Sequence, residues 1–198
     1  MMNNKIAING FFGRMGQAIY ELSLKQNFDV TVGVDLKEKL SSNLDLKFSD
    51  NLSEHSGSFD VVIDFSLPEP CVEAVKECQK LKKPITIGTT GFSAEQKKIL
   101  TDAGKEIPLL LAPNMSIGVN ASLRSISELS KVLSGYDVSI EETHHKNKLD
   151  SPSGTALKIA EVIAEARHSS PSDINIKSFR EEGEVGVHKT IFRSSDDE

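Results

Sequence analysis

Short apolar runs alternate with amphipathic stretches along the first half of the chain. The apolar runs cover residues 5–9, 30–34, 61–66, 85–87 and 109–112. The stretches between them place apolar residues on one side of a helix, at about 18–24, 68–83 and 93–105. Strands that are apolar throughout and alternate with helices are typical of a parallel sheet covered on both faces. The pattern therefore predicts an α/β domain built on a doubly wound parallel sheet.

The regular alternation stops near residue 115. A long amphipathic helix is predicted from Ser116 to about Ser134. It is followed by a strand, a helix and two strand-like runs, at about 138–143, 155–167, 174–179 and 185–192. This order is typical of an α+β domain with its own sheet. We therefore expect two domains, 1–115 and 116–198.

Composition excludes several classes of protein. With 198 residues, of which 38% are hydrophobic, the chain can form one sizeable core or two smaller ones. The formal net charge of −6, without a basic face, argues against nucleic-acid binding. No stretch is apolar over the length of a bilayer, and the N-terminus lacks a signal-peptide layout, so we expect a cytoplasmic protein without membrane contact. Cys71 and Cys78 are predicted to be buried, since their spacing fits neither a disulfide framework nor a zinc pair.

A glycine-rich turn connects the first predicted strand to the first helix. It consists of Gly10, Phe11, Phe12, Gly13, Arg14, Met15 and Gly16. Such a turn aims backbone N–H groups and the positive end of the helix dipole at a phosphate group. Asp35 ends the second strand about 20 residues further on, where a carboxylate accepts hydrogen bonds from a ribose. The glycines alone also fit an ordinary tight connection, and Phe12 replaces the second glycine of the usual fingerprint, but the turn and Asp35 together predict a Rossmann-type dinucleotide-binding domain.

Two later loops are expected at the same edge of the sheet. Right-handed crossovers bring the carboxyl ends of parallel strands together, so the loops that follow these strands meet there. The two loops contain Gly88, Thr89, Thr90, Ala112, Pro113, Asn114 and Met115. From their positions alone, they fit simple strand-to-helix connections as well as a cofactor site.

The stretch 139–156 concentrates ionisable side chains, with two histidines, two lysines and three carboxylates. If the strand continues to His145, then Glu142 and His144 share one face and His145 lies on the other, so the histidines serve different tasks. The turn 151–155 opens a helix whose N–H groups, beside the lysines, suit a small and multiply charged anion. A solvated charged loop is the main alternative. We predict no metal site, because two lysine ammonium groups would repel a cation.

The segment from His144 to Ala156 resembles the signature of the 4-hydroxy-tetrahydrodipicolinate reductases, nicotinamide-dependent enzymes of bacterial lysine and diaminopimelate synthesis. The glycine turn is similar to that family's G-x-x-G-R-M-G turn, which tolerates Phe12, and residues 180–188 resemble its arginine-glycine-histidine segment. The resemblance implies that His144 is the general acid/base and Lys148 a second proton donor. It implies substrate-binding roles for the positions His145, Gly154 and Thr155, beside which Ser153 would offer its backbone amide.

The resemblance also implies a cofactor, a substrate and an assembly, in which the second domain, 116–198, binds the substrate and forms the oligomer. The expected protein is a homotetrameric reductase that takes hydride from NADH or NADPH, without a metal, and reduces a cyclic dicarboxylate in the cleft between its domains. The loops 88–90 and 112–115 match family loops beside the nicotinamide. We expect a bias to NADH, because Asp35 repels a 2′-phosphate and Leu36 stands where an arginine would accept it, although Lys37 softens this bias.

Two alternatives remain at this point. One is another nicotinamide-dependent dehydrogenase that acts on an amino acid or imine, and the other is a relative that binds dinucleotide without turnover. The chain is also expected to lack the strand and helix with which the family's second domain ends.

Overall fold

The computed structural model describes residues 4–37, 44–146, 148, 150–183 and 186–195. The chain divides into two compact units, Met1–Pro113 and Asn114–Glu198. Each unit has its own sheet, and the two are described separately below.

The first unit is built on a six-stranded sheet. Its strands are β1 (Lys5–Asn9), β2 (Asp29–Val34), β3 (Lys47–Ser49), β4 (Val61–Asp64), β5 (Ile85–Ile87) and β6 (Leu109–Leu111). Its helices are α1 (Arg14–Gln26), α2 (Pro68–Leu81) and α3 (Ala94–Ala103). The strand order is β3-β2-β1-β4-β5-β6, and every pairing is parallel. The predicted doubly wound sheet is thus confirmed, with the short β3 as an addition that the sequence pattern did not indicate.

The core of this unit lies where α2 packs on the sheet. Val32, Val62 and Ile85 from the strands meet Val75 and Cys78 from the helix, and all are buried. Each such side chain contributes about 1.5–3 kcal/mol when it is removed from water. Burial raises the pKa of Cys78 to about 12 and raises that of Cys71 further, so both thiols stay protonated and inert, as the prediction of buried cysteines requires.

The second unit is an α+β fold with a three-stranded sheet. Its elements are α4 (Ile117–Val132), β7 (Asp137–His145), α5 (Gly154–Arg167), β8 (Asn175–Glu181) and β9 (Val187–Arg193). The central strand β7 pairs with β8 in parallel and with β9 in antiparallel orientation. The apolar face of α5 covers the sheet, with Ile159, Ala160 and Ile163 packed on Ile140 of β7. The predicted elements are found within a few residues, and Val185, the predicted start of the last strand, lies outside the described residues.

Serine caps fix where three of the helices begin. Ser93 forms the predicted capping box with Gln96, and Ser116 accepts a hydrogen bond from the Val119 N–H. Ser153 does the same for α5, with 3.2 Å between its Oγ and the Ala156 nitrogen. Such caps are worth about 1 kcal/mol each. In the described part of the chain, no helix is both long and apolar enough to cross a membrane.

Candidate functional site

The glycine turn after β1 brings backbone, rather than side chains, to the start of α1. Gly10 has a φ of +80°, and a Cβ there would lie 2.6 Å from the Phe65 carbonyl oxygen. A Cβ on Gly16 would collide with the carbonyl oxygens of Gly10 and Phe11. Among the described residues, no side chain caps the start of α1, whose first N–H groups are therefore open to an anion. This geometry fits the pyrophosphate of a dinucleotide.

The two phenylalanines of this turn support its shape. Phe11 is fully buried, and its N–H donates to the Val34 carbonyl oxygen over 3.1 Å. Neither the ring nor the N–H of Phe11 is therefore free to contact a ligand. The Phe12 ring stacks on Phe48, with 5.4 Å between the ring centroids. Both rings pack against the small core cluster formed by Ile8, Phe11 and Val30. The Phe12 N–H donates to Asp35 Oδ2 over 2.8 Å. The turn and the acidic residue are therefore tied together directly.

A cavity of about 800 Å³ opens at the carboxyl ends of β1, β2 and β4. Gly10, Gly13 and Asp35 line it, together with further carboxylates on its wall, namely Asp50, Glu69, Glu73 and Glu77. Lys37 is the one cation among its described lining residues. Carboxylates therefore outnumber cations among the described lining residues, which suits ribose hydroxyls better than an additional 2′-phosphate.

Asp64, at the end of β4, was missed by the sequence analysis, which treated 61–66 as an apolar run. It is fully buried and accepts hydrogen bonds from Asn9 Nδ2 (2.5 Å), Ser66 Oγ (2.8 Å) and Thr89 Oγ1 (2.5 Å). One carboxylate thus holds the ends of β1 and β4 and the loop after β5. Thr89, predicted to contact the cofactor, uses its side chain in this network. An aspartate at the end of an apolar strand was the available signal.

The other residues predicted to bind the cofactor are either exposed at the surface or packed against neighbouring groups. Gly88 is required by the Phe65 ring, which occupies the space of a Cβ. Arg14, Met15, Thr90 and Pro113 are exposed, and Ala112 is half-buried. Asn114 and Met115 belong to the second unit, where the Asn114 side chain accepts a hydrogen bond from the Ser116 N–H over 2.9 Å at the start of α4.

The second unit carries a buried acid-base cluster on β7. As the strand alternation predicts, Glu142 and His144 share one face and His145 lies on the other; the structure shows that the first two are buried and His145 is exposed. Glu142 Oε1 accepts hydrogen bonds from the Ser153 N–H (2.9 Å) and from Ser178 Oγ (2.7 Å). Glu142 Oε2 lies 3.6 Å from His144 Nδ1 and 3.5 Å from His188 Nε2. One carboxylate therefore faces two imidazoles.

The two serines keep this carboxylate ionised. Burial by itself raises the pKa of Glu142, but the hydrogen bonds from Ser153 and Ser178 outweigh it, and the net pKa lies below the ordinary value. For His188, by contrast, it is the charged form that is disfavoured. Its pKa is lowered, first by burial and next by the charge of His144, so it is neutral near pH 7.

His188 is a member of this cluster to which the sequence analysis gave no role. It comes from β9, and its register places it opposite Glu142. Its ring packs edge-on against that of His144, with 5.0 Å between centroids, and its Nε2 lies 3.0 Å from Ser153 Oγ. Ligand atoms of Glu142, His144 and His188 converge within 4.8 Å, as they would around a metal ion. Glu142 Oε1 and His188 Nε2 also lie within hydrogen-bond distance of Ser153.

The two lysines after β7, Lys146 and Lys148, differ in exposure and in their partners. Lys148 is mostly covered and pairs with Asp150, with 2.8 Å between Nζ and Oδ1. This bond lowers the pKa of Asp150. Arg180 of β8 donates to the backbone carbonyls of Lys148 (3.4 Å) and Asp150 (2.6 Å), which anchors the loop. Lys146 is exposed and pairs with Glu182.

The start of α5 offers fewer free amides than expected. The Ser153 N–H is taken by Glu142, so it serves the cluster instead of an outside anion, because a buried amide must keep a partner. The Gly154 N–H contacts the Asp150 carboxylate. Gly154 is exposed and Thr155 is half-buried.

Fold and site together define a class. A Rossmann-type unit with an open glycine turn, joined to an α+β unit that carries buried acid-base groups, is a two-domain dinucleotide-binding protein. The comparisons with known proteins then give the family. The description "Dihydrodipicolinate reductase, N-terminus" matches residues 4–115, and "Dihydrodipicolinate reductase, C-terminus" matches residues 118–198. The chain belongs to the dihydrodipicolinate reductase family.

Individual relatives agree with this assignment. The chain is 38% identical over 205 residues to a 4-hydroxy-tetrahydrodipicolinate reductase of Caldanaerobacter subterraneus subsp. tengcongensis, covering 95% of this chain and 80% of that protein. It is 39% identical over 194 residues to the Ralstonia nicotianae enzyme of the same name, covering 92% and 73%.

Solved structures agree as well. A dipicolinate-bound dihydrodipicolinate reductase from Paenisporosarcina sp. TG-14 superposes with a TM-score of 0.81 at 27% identity, covering 98% of this chain and 84% of that one. An aspartate dehydrogenase from Thermotoga maritima is 14% identical with a TM-score of 0.55, over 98% and 86% of the two chains, which shows a shared fold only.

Proposed function

We propose that this protein reduces 4-hydroxy-tetrahydrodipicolinate to tetrahydrodipicolinate with NAD(P)H, a step of lysine and diaminopimelate synthesis. The observation that carries the proposal is the family match over both units, combined with the buried Glu142, His144 and His188 cluster in the second. The substrate is the one in the names of the relatives.

The reaction requires a proton as well as a hydride. Loss of the 4-hydroxyl group as water consumes one proton, and NAD(P)H, when bound, supplies the hydride. His144 is the general acid/base in this proposal, because its Nδ1 lies 3.6 Å from the buried Glu142 carboxylate and imidazole is the side chain most often used for proton transfer in enzymes. Lys148 is the second donor, since its ammonium lies on a loop that Arg180 holds in place.

The substrate carboxylates are assigned to the groups beside this cluster. The start of α5 presents Gly154 and Thr155 under the positive end of its dipole, which favours one carboxylate. His145 is exposed on the same strand as His144, and Lys148 carries a charge suited to the other carboxylate. Asp150, which now contacts Lys148 and the Gly154 N–H, is the internal anion that a substrate carboxylate would replace.

For the cofactor, we propose NADH in preference to NADPH. The Asp35 carboxylate is fixed by the N–H groups of Phe12 and Leu36, at the place where a ribose diol is bound in Rossmann folds. The acidic wall of the same cavity opposes a 2′-phosphate, and Lys37 is its one nearby positive charge. No metal is required in this scheme.

We also propose a cytoplasmic homotetramer. Support for an oligomer comes from large apolar side chains exposed on the second unit, among them Ile117, Leu129, Val132, Phe179 and Val187. Light scattering after gel filtration would measure the mass, and a monomer at micromolar concentration would contradict the proposal.

The function is tested by a coupled assay in which 4-hydroxy-tetrahydrodipicolinate is generated freshly and oxidation of each reductant is followed. Substrate-dependent oxidation of NADH, with a lower Michaelis constant than for NADPH, is expected. A lower constant for NADPH would overturn the cofactor assignment alone. Turnover with oxaloacetate and ammonia in place of the dipicolinate precursor would favour an amino-acid dehydrogenase, and dinucleotide binding without any turnover would favour a non-catalytic relative.

A further inference from the structure

Glu142 is the least exposed ionised side chain near the proposed reaction centre, and the two ends of its carboxylate have different surroundings. Oε1 is saturated by the Ser153 N–H and the Ser178 hydroxyl. Among the described residues, Glu142 Oε2 and His144 Nδ1 are the two buried side-chain atoms without a hydrogen-bond partner. They face each other at 3.6 Å, so a shift of a few tenths of an ångström closes a hydrogen bond between them.

Pairing these two atoms fixes the tautomer of His144. A carboxylate oxygen can only accept, so Nδ1 must carry the proton, and Nε2 is left to exchange a proton with a ligand. The packing on the other side agrees. A Cβ on Gly186 would lie 3.0 Å from His144 Cδ2 and 3.1 Å from Nε2, so a larger residue at position 186 would crowd this edge of the ring.

His188 closes the cluster from the third strand. Its Nε2 is 3.5 Å from the same Glu142 oxygen and 3.0 Å from Ser153 Oγ, and its ring packs against the ring of His144. Burial lowers the pKa of His188, so this imidazole carries no charge near pH 7 that would compete for Glu142 Oε2.

We propose that Glu142 is a positioning residue for proton transfer at His144: its Oε2 holds the imidazole by Nδ1 while its Oε1 holds the start of α5 through Ser153. One buried carboxylate thereby sets the distance between the proton-transfer group and the helix start that receives the substrate. The role in turnover rests on the function proposed above, whereas the tautomer is a property of the free protein.

Glu142→Gln tests this with a change of about the same shape. Two donors point at the Oε1 position, so the amide oxygen must stay there and the amide NH₂ must take the Oε2 position. The NH₂ group donates to His144 Nδ1, which forces the proton onto Nε2. We expect turnover to fall about 10²- to 10⁴-fold, the range for a misplaced acid or base, with the Michaelis constant for NADH unchanged.

The matched control is Glu141→Gln, the same change one residue earlier and on the other face of β7. It should leave turnover within about twofold. Long-range ¹H–¹⁵N spectra of ¹⁵N-histidine-labelled protein, with the His144 signals identified by their loss in His144→Ala, report the tautomer directly. The proton is expected on Nδ1 in the wild type and in the control, and on Nε2 in Glu142→Gln.

The outcomes separate the inference from the proposed function. If the wild type does not turn over the dipicolinate precursor, the function fails and the tautomer measurement still decides the inference. Equal turnover or an unchanged tautomer in a folded Glu142→Gln protein overturns it. Should that variant not fold, Glu142→Asp draws the carboxylate back by one methylene, and wild-type turnover there overturns the inference too. Loss of turnover in EDTA with recovery in zinc would make the cluster a metal site and overturn it as well.

Discussion

At the scale of single residues, the proposed catalytic and binding side chains of the second unit have different surroundings. His144 is buried beside a carboxylate, Lys148 is covered on an anchored loop, and Thr155 stands at a helix start. In the proposed reaction, the first two transfer protons and the third holds a carboxylate. Removal of a group that acts in the transition state lowers turnover, while removal of uniform binding raises the Michaelis constant.

His144→Ala and Lys148→Ala are therefore each expected to lower turnover about 10²- to 10⁴-fold. Thr155→Ala should mainly raise the Michaelis constant of the dipicolinate precursor. Steady-state kinetics of the three variants, with each substrate varied in turn, measures this separation. If His144→Ala keeps its turnover and only binds substrate more weakly, His144 is a binding residue.

The neutral His188 also predicts how stability depends on pH. Its pKa is lowered in the folded state, so between its ordinary value near 6.5 and its folded value the unfolded chain binds a proton that the folded one does not. The free energy of unfolding should therefore fall as the pH drops below about 6.5. The pKa of Glu142 is also lowered, so its contribution to stability is complete above about pH 4.5 and is lost only at lower pH.

Urea unfolding at pH 7.5 and 5.5 tests this on His188→Asn. The variant should lose less stability between the two pH values than the wild type does. His168→Asn is the control, because that histidine is exposed after the end of α5 and has no part in the cluster. A pH dependence equal in all three proteins would show that His188 is protonated as easily in the folded state as in the unfolded one.

At the scale of elements, one arginine joins the two helices of the second unit. Arg167, the last residue of α5, donates to the carbonyl oxygens of Ser130 (3.3 Å), Leu133 (2.6 Å) and Tyr136 (2.8 Å). Ser130 lies in the last turn of α4, Leu133 caps this helix, and Tyr136 follows in the turn before β7, where carbonyl oxygens lack the partners of a continuing helix. The guanidinium also lies over the Phe192 ring, 5.7 Å from its centroid. The end of α4 is thus stabilised by a charge that the helix dipole favours.

Arg167→Ala should lower the free energy of unfolding by about 2 kcal/mol, since hydrogen bonds to charged groups contribute about 1.5–3 kcal/mol. Arg124→Ala makes the same change at an exposed position of α4 and should cost less than about 0.5 kcal/mol. Urea midpoints of the two variants compare them. Equal losses would mean that the carbonyls find water as a sufficient partner.

At the scale of the whole molecule, the two proposed tasks lie in separate units. The glycine turn and Asp35 belong to the first, and the acid-base cluster belongs to the second. Each unit has its own core, so a change that spoils one site need not disturb the other.

Gly16→Ala tests that separation from the cofactor side. Its Cβ would meet backbone atoms of Gly10 and Phe11, which cannot give way as a flexible side chain can, so we expect dinucleotide affinity to fall at least tenfold. Gly57→Ala, where a Cβ meets nothing within 4 Å, is the control in the same unit. Calorimetric titration with NADH measures the affinity, and the ¹⁵N signals of His144 should be unchanged in both variants. Wild-type affinity in Gly16→Ala would remove the turn from the site.

The sequence by itself determined most of the elements, several of their ends and the faces of β7. Apolar periodicity distinguishes strands from helices, and Ser93 with Gln96 marks a helix start through local hydrogen bonds. Strand alternation placed Glu142 and His144 on one face and His145 on the other. These are local properties, because they depend on residues within a few positions of one another.

Only the tertiary structure decided which side chains share a polar network. The pairing of β7 with β8 and β9 brings Ser178 and His188 to Glu142, and the pairing of β4 with β1 and β5 brings Asn9 and Thr89 to Asp64. The pattern along a strand gives the face of a side chain but not the neighbouring strand, because strand order depends on how whole elements pack. For the same reason, the sequence offered the Ser153 amide to a substrate, whereas the fold had already given it to Glu142.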